Sequence, residues 1–131
     1  MRKECLATRI RQLNRRVTRI YDSALRPHGV STAQLNVLVA LALVGEARSR
    51  DIALALGLEK STLSRNLDRM VSHGWVEAAA SRGGSVPNLR LLPAGKRLVE
   101  DSLPAWRAAQ RKVAAEIAPD LVDALTRNAP G

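Results

Sequence analysis

The sequence predicts a mainly α fold with one small β element, and three observations carry that expectation. An apolar stripe of helical period runs through about residues 4–25. Two short helical patterns, joined at Gly57, lie between Ser49 and Gly74. Behind them come two strand-like runs around a glycine pair, and then a long helical pattern.

The first helix is predicted from about Glu4 to Leu25. Its apolar positions are Leu6, Ile10, Leu13, Val17, Ile20 and Ala24, alternating steps of four and three as in a heptad seam. Pro27, His28 and Gly29 stop it. Ser31 and Gln34 have capping-box spacing, so the next helix should run from about Thr32 to Val44. It is apolar on most sides and is expected to form the buried centre, with Gly45 closing it.

Ser49 is placed to cap a short helix, with Asp51 in its positive first turn. Ile52, Leu54, Ala55 and Leu56 supply its apolar face. Gly57 tolerates the positive φ of a sharp turn, and Leu58 fills the corner. A second helix follows from about Lys60 to His73, with Leu63, Leu67 and Met70 on one face. The opposite face carries Ser61, Thr62, Ser64, Arg65, Asn66 and Arg69. Short hydroxyls near a helix N-terminus, followed by arginines, suit insertion into a DNA major groove. Two core helices with a solvated polar face would produce the same pattern.

After Gly74, Trp75–Ala80 is predicted as a strand, Ser81–Ser85 as a turn with two glycines, and Leu89–Leu91 as the returning strand. Pro87 cannot donate to a ladder, which places it on an edge or in the tip. A two-stranded hairpin behind a recognition helix is a wing, with Arg82 at its tip and Arg90 on the return. The competing reading is an ordinary surface hairpin. Pro93 then opens a long helix with Val99, Leu103, Trp106, Gln110, Val113 and Ile117 on one stripe. Pro104 should kink it, and Pro119 should restart a short helix carrying Leu121, Val122 and Leu125. Apolar stripes at both ends of the chain need cover. They can pack on each other, but a heptad seam favours a homodimer, whose two recognition helices would address half-sites about one DNA turn apart.

Composition narrows the partners. The 131 residues hold 21 Lys plus Arg against 12 acids, a formal charge of +9, and arginine dominates. That balance points to nucleic acid or an anionic surface. The longest apolar run, Val37–Val44, has eight residues, against the ~20 of a membrane span. With no apolar signal core at the N-terminus, a cytoplasmic location is expected. Tyr21, Trp75 and Trp106 are the only aromatics, too few for base-stacking platforms, so duplex DNA is the expected ligand. Cys5 is the single cysteine and makes no zinc set with His28 and His73. His73, just before Gly74, reads as the cationic end of a capped helix. No cofactor is implied, and no nucleophile–base spacing or phosphate loop suggests an enzyme.

The order of these elements resembles the MarR family of bacterial transcription regulators over nearly the whole chain. The resemblance rests on YDSALRPHGVSTAQLNVLVAL from Tyr21, on RSRDIALALGLEKSTLSRNLDRMVSHGWVE, and on the LxxxG ending at Leu91 and Gly95. It implies a single domain over 1–131, with dimerisation helices in 1–30 and 95–131 and a winged helix-turn-helix in 31–94. It also implies homodimeric binding of a pseudo-palindromic operator. Many members repress, and many release DNA when a small aromatic or phenolic anion, or an oxidant, binds. The family's wing usually has an Asp and an Arg two apart; this chain has Gly83 and Ser85 there, with Arg82 one residue earlier. Oxidant-sensing members keep a cysteine near the position of Cys5, where Arg2 and Arg9 would lower the thiol pKa; a small packing residue is the plainer reading of Cys5.

The leading expectation is therefore a sequence-specific duplex-DNA-binding regulator, a homodimeric repressor released by a small molecule. Its DNA-contacting residues would be Arg50, Lys60, Ser61, Thr62, Ser64, Arg65, Arg69, Arg82 and Arg90. Arg16, Tyr21 and His28 are the candidate effector residues. Three alternatives stand beside it: a constitutive architectural DNA binder, an oxidant-sensing regulator acting through Cys5, and a winged helix used for protein interaction.

Overall fold

The computed structural model describes residues 5–80 and 87–121. The chain forms α1 (Leu6–Leu25), a 3-10 turn (Arg26–His28), α2 (Thr32–Val44), β1 (Glu46–Arg48), α3 (Ser49–Leu56), α4 (Lys60–Ser72), β2 (Val76–Ala80), β3 (Pro87–Leu91) and α5 (Pro93–Glu116). These elements build two compact units. One takes its residues from 1–29 and 103–131, the other from Val30–Ser102.

The Val30–Ser102 unit is a winged helix-turn-helix. The capping box at the start of α2 forms as expected. Ser31 Oγ accepts from the Gln34 backbone N–H at 3.2 Å, and Gln34 Oε1 accepts from the Ser31 N–H at 3.1 Å. Leu35, Val37, Leu38 and Leu41 of α2 are buried. The burial ends with the last turn, since Leu43 is 82% exposed and the helix stops at Gly45 with φ 82°. Gly57, at φ 64°, makes the left-handed turn between α3 and α4, where Leu58 N–H bonds Ala53 O at 2.9 Å. Leu63, Leu67 and Met70 are the buried face of α4.

Four expectations are corrected in this unit. Ser49 is the first helical residue of α3, not its cap; Arg48 stands at the cap position, with no side-chain capping bond. The apolar face of α3 narrows to buried Ile52 and half-buried Leu56, because Ala55 is exposed and Leu54 is 82% exposed. The hairpin is three-stranded, in the order β1-β3-β2. Glu46, Ala47 and Arg48 pair with Arg90, Leu89 and Asn88. Pro87 therefore begins the central strand, opposite Ala80. Its missing N–H is tolerated because the pairing with β1 ends at Arg48 opposite Asn88, one residue short of it. The residues between the strands, including Arg82, lie outside the described residues.

Gly95 binds α5 to this unit by close approach. A Cβ there would sit 2.4 Å from the Trp75 carbonyl oxygen and 2.7 Å from Leu91 Cδ1. The same oxygen accepts from the Leu92 N–H at 2.9 Å. Further along α5, Val99 and Ser102 are buried. Ser102 Oγ donates to Leu98 O at 2.7 Å, a bond that satisfies the hydroxyl inside the helix.

In the other unit, Leu13 of α1 and Ile117 form a small core, with Val17, Ile20 and Val113 packed against it. Tyr21 and Trp106 bring their rings to 6.5 Å at 39°. α5 continues through Pro104. Its buried line passes through Ala109, not Gln110, which is exposed. A small side chain at that place lets a neighbouring surface come close, a preference invisible to a count of large apolar residues. The first helix begins at Leu6, with Cys5 at its cap position. The chain is helical again at 118–121; Val122 and Leu125 lie outside the described residues. Among the described residues no single helix is long and apolar enough to cross a membrane.

Candidate nucleic-acid interface

The polar face of α4 is built by its buried one. With Leu63, Leu67 and Met70 turned inward, Ser61, Ser64, Arg65 and Arg69 are exposed and Thr62 and Asn66 are half-buried. Asn66 Nδ2 donates to Thr62 O at 3.0 Å, which ties that side chain back to its own helix. Glu59 occupies the cap position without making a capping bond, and the first turn holds no acid. The first turn of α4 thus joins a positive helix end to hydroxyls and Lys60.

Beside this face, α3, α4 and the start of β3 enclose a groove of about 540 Å³. Leu58, Leu63 and Leu67 line it, and Ser49, Arg50, Lys60 and Ser64 contribute its polar groups. Arg50, Lys60, Ser64 and α4's arginines are thus carried by one helix pair.

The sheet presents a polar outer face. Arg90 lies between Glu46 on β1 and Glu77 on β2 in register. Its guanidinium donates to Glu77 Oε2. The proton affinity of Arg90 is raised, first by the hydrogen bond to Glu77, then by the charges of Glu77 and Glu46. Asn88 Nδ2 donates to Glu46 Oε1. Arg48, exposed and opposite Asn88, was missed by sequence reasoning. Its signal was there: it opens the Arg48-Ser-Arg50 run, but only the pairing of β1 puts it on this face.

The remaining candidates lie in the other unit. Arg16 Nη1 bonds Asp120 Oδ2 at 2.8 Å. Tyr21 is buried against Trp106, and burial pushes its phenol up, so it is a neutral hydroxyl at neutral pH. His28 is half-buried in the 3-10 turn. The structure brings no direct contact among Arg16, Tyr21 and His28 into its described hydrogen bonds. Cys5 is exposed. Its thiol is held below its ordinary value by the backbone N–H groups of Thr8 and Ala7 and by the Thr8 side chain, with Arg11 a minor contributor. The leading cause is thus the open N-terminus of α1; Arg9 is not among the groups responsible, and Arg2 lies outside the described residues. His73 ends α4 as expected, and its ring stacks on Trp75 at 4.4 Å and 15°.

Residues 28–85 match the model of the MarR family. The chain is 29% identical, over 72 residues, to the uncharacterized HTH-type transcriptional regulator YwoH of Bacillus subtilis. That match spans 55% of this chain and 53% of YwoH, so the chain accounts for about half the length of that relative. Among solved structures it is similar to the M. tuberculosis transcriptional regulator MosR in complex with DNA: 28% identity, a TM-score of 0.79, and 95% of this chain against 92% of that one. A mutant MarR from E. coli in complex with operator DNA shares the fold, at 24% identity and a TM-score of 0.67, over 96% of this chain and 83% of that one.

Proposed function

We infer that the chain is a winged-helix transcription regulator of the MarR family, whose model matches residues 28–85, and propose that it binds duplex DNA sequence-specifically as a homodimer. The observation that carries this reading is the two-sided α4. Its inner face is Leu63, Leu67 and Met70, and its outer face offers Ser61, Ser64, Arg65 and Arg69 to solvent. In this reading Lys60, Ser61 and Thr62 meet phosphates at the helix end, Ser64 and Arg65 reach base edges, and Arg50, Arg69 and the wing's Arg82 take backbone phosphates.

The DNA complex of MosR supports the same reading for this chain. Dimerisation is supported by apolar side chains left open in the terminal unit: Ile10 is 41% exposed on the seam of α1, and Leu121 is 39% exposed. A second copy covers such surface at the lowest cost in new sequence. With residues 1–30 and 95–131 serving that association, 31–94 is the DNA-reading part of a single functional domain. A cytoplasmic repressor released by a small aromatic or phenolic anion completes the proposal, with Arg16, Tyr21 and His28 as its effector residues.

A second reading rests on Cys5. An exposed thiol with a lowered pKa at a helix start is a competent oxidant target, so an oxidant is the alternative releasing signal.

The test is selection of a preferred duplex from a random pool, followed by titration against scrambled DNA. A specific binder prefers its selected site by at least ~10³-fold at physiological salt. Arg65→Ala should cost about 1–3 kcal/mol, roughly 5- to 150-fold, on the selected site. Equal affinity for every duplex would instead mark a constitutive architectural binder. An Arg65→Ala protein with unchanged circular dichroism and unchanged affinity would refute the placement of α4 in the groove.

A further inference from the structure

The three-stranded sheet carries three cationic or polar side chains on β3 and β1 whose surroundings differ. Arg90 sits in a row of three across the sheet, Glu46–Arg90–Glu77, one from each strand. Opposite charges directly across an antiparallel ladder attract, and each such pair shifts an equilibrium by about 1.5- to 5-fold. The row holds two acids to one base, so a phosphate approaching Arg90 meets net negative charge. Arg48 lies two register positions along, the next on the same face, opposite Asn88. The acid that could have neutralised it, Glu46, is held by the Asn88 amide. Arg48 makes no ion pair among the described residues, and Asn88's other neighbour is Ala79. It stands at the head of α3, two residues from Arg50 on the rim of the groove beside α4.

We propose that Arg48 is the sheet's phosphate-contacting residue, and that Arg90 is a positioning residue that clamps β1 and β2 in register on β3 without touching DNA. The inference deepens the DNA-binding reading above and depends on it only where affinity is measured. It reassigns the sheet's contribution from the return strand to a strand that the sequence did not disclose.

The experiment uses the full chain in four forms: wild type, Arg48→Ala, Arg90→Glu, and the charge-conserving pair Arg90→Glu with Glu77→Arg. Two readouts are taken, amide hydrogen exchange of β2 and β3 without DNA, and salt-dependent affinity for selected and random duplex. Arg48→Ala should leave exchange as in wild type and weaken both duplexes alike. Its log–log salt slope should be shallower by about two units, one phosphate from each copy in a dimer. Arg90→Glu should speed exchange of the sheet amides by about 2- to 30-fold, the product of two cross-strand pairs. The swapped pair should recover affinity, since it keeps net charge, and should recover protection to within about 1.5- to 5-fold of wild type, since it restores one of the two pairs.

An unchanged slope in Arg48→Ala overturns the contact. A swapped pair that regains sheet protection but keeps the affinity of Arg90→Glu overturns the clamp, because Arg90 would then be touching DNA. Should Arg90→Glu fail to fold, the swapped pair read against wild type still decides. If the wild type binds no duplex, the proposed function fails, and the exchange data alone still confirm or overturn the clamp.

Discussion

Replacing Gly95 by alanine probes the tightest approach in the winged unit. The added Cβ would lie 2.4 Å from Trp75 O, about 0.6 Å inside the 3.0 Å that real Cβ atoms respect. Leu91 Cδ1, at 2.7 Å, blocks a second direction. Side-chain rotation relieves the leucine but not the backbone carbonyl. Either α5 or the segment entering β2 must shift, and overpacking of that kind costs about 1–3 kcal/mol. A shift of the carbonyl also strains its 2.9 Å bond from the Leu92 N–H, a further ~0.5–1.5 kcal/mol if it is lost. Alanine's helix preference returns ~0.5–1 kcal/mol. The net expectation is a destabilisation of about 1–3 kcal/mol, read from urea unfolding at fixed protein concentration with the slope m unchanged. The midpoint temperature should fall by roughly 3–5 °C per kcal/mol for a chain of this size. An alanine variant as stable as the parent, or more stable, would refute the argument, since only the helix preference would then be acting.

Ser31→Ala removes the side chain that accepts from the Gln34 N–H and should cost about 0.5–2 kcal/mol in the same assay; no loss would mean that the box contributes nothing to α2. Light scattering at micromolar concentration should give twice the chain mass, and a monomer would remove the case for spaced half-sites. Because the Cys5 thiol is lowered, alkylation at neutral pH should run faster than for an unperturbed cysteine, its rate rising with pH to a plateau reached early. Thr8→Val should move that curve to higher pH by deleting one of the bonds responsible; identical curves would show that the helix backbone acts alone.

The helices were legible because their signals are local. Ser31 and Gln34 announced α2, Gly57 the turn, and Leu63, Leu67 and Met70 the inner face of α4. The first strand was not legible: Glu46-Ala47-Arg48 has no strand character of its own and exists by pairing with β3. The partnering of Arg90 was hidden for the same reason, since register decides which charges face each other. Leu54 read as core because period alone cannot tell a short helix how much of its face will be covered. Ser102 and Ala109 went unnoticed because burial of small residues follows from close approach, which sequence does not display. Cys5 shifts in the expected direction, but the leading groups are the N–H groups of α1, which the sequence does not display as it displays neighbouring arginines.

The division of the chain has a consequence for how it is made. The Val30–Ser102 unit is continuous, whereas the other draws on residues before 30 and after 102. On a growing chain the winged unit has all its parts once Ser102 has emerged. The stripe of α1 must wait for Val113 and Ile117, the residues it packs against. Until then Leu13, Val17 and Ile20 are open apolar surface on a nascent polypeptide. At ~5–20 residues per second, the wait from Ile20 to Ile117 lasts roughly 5–20 s. A folded winged unit between the two halves would shorten the effective loop that has to close. For the proposed homodimer, the same order would expose α1 to a second nascent copy before its own chain can cover it.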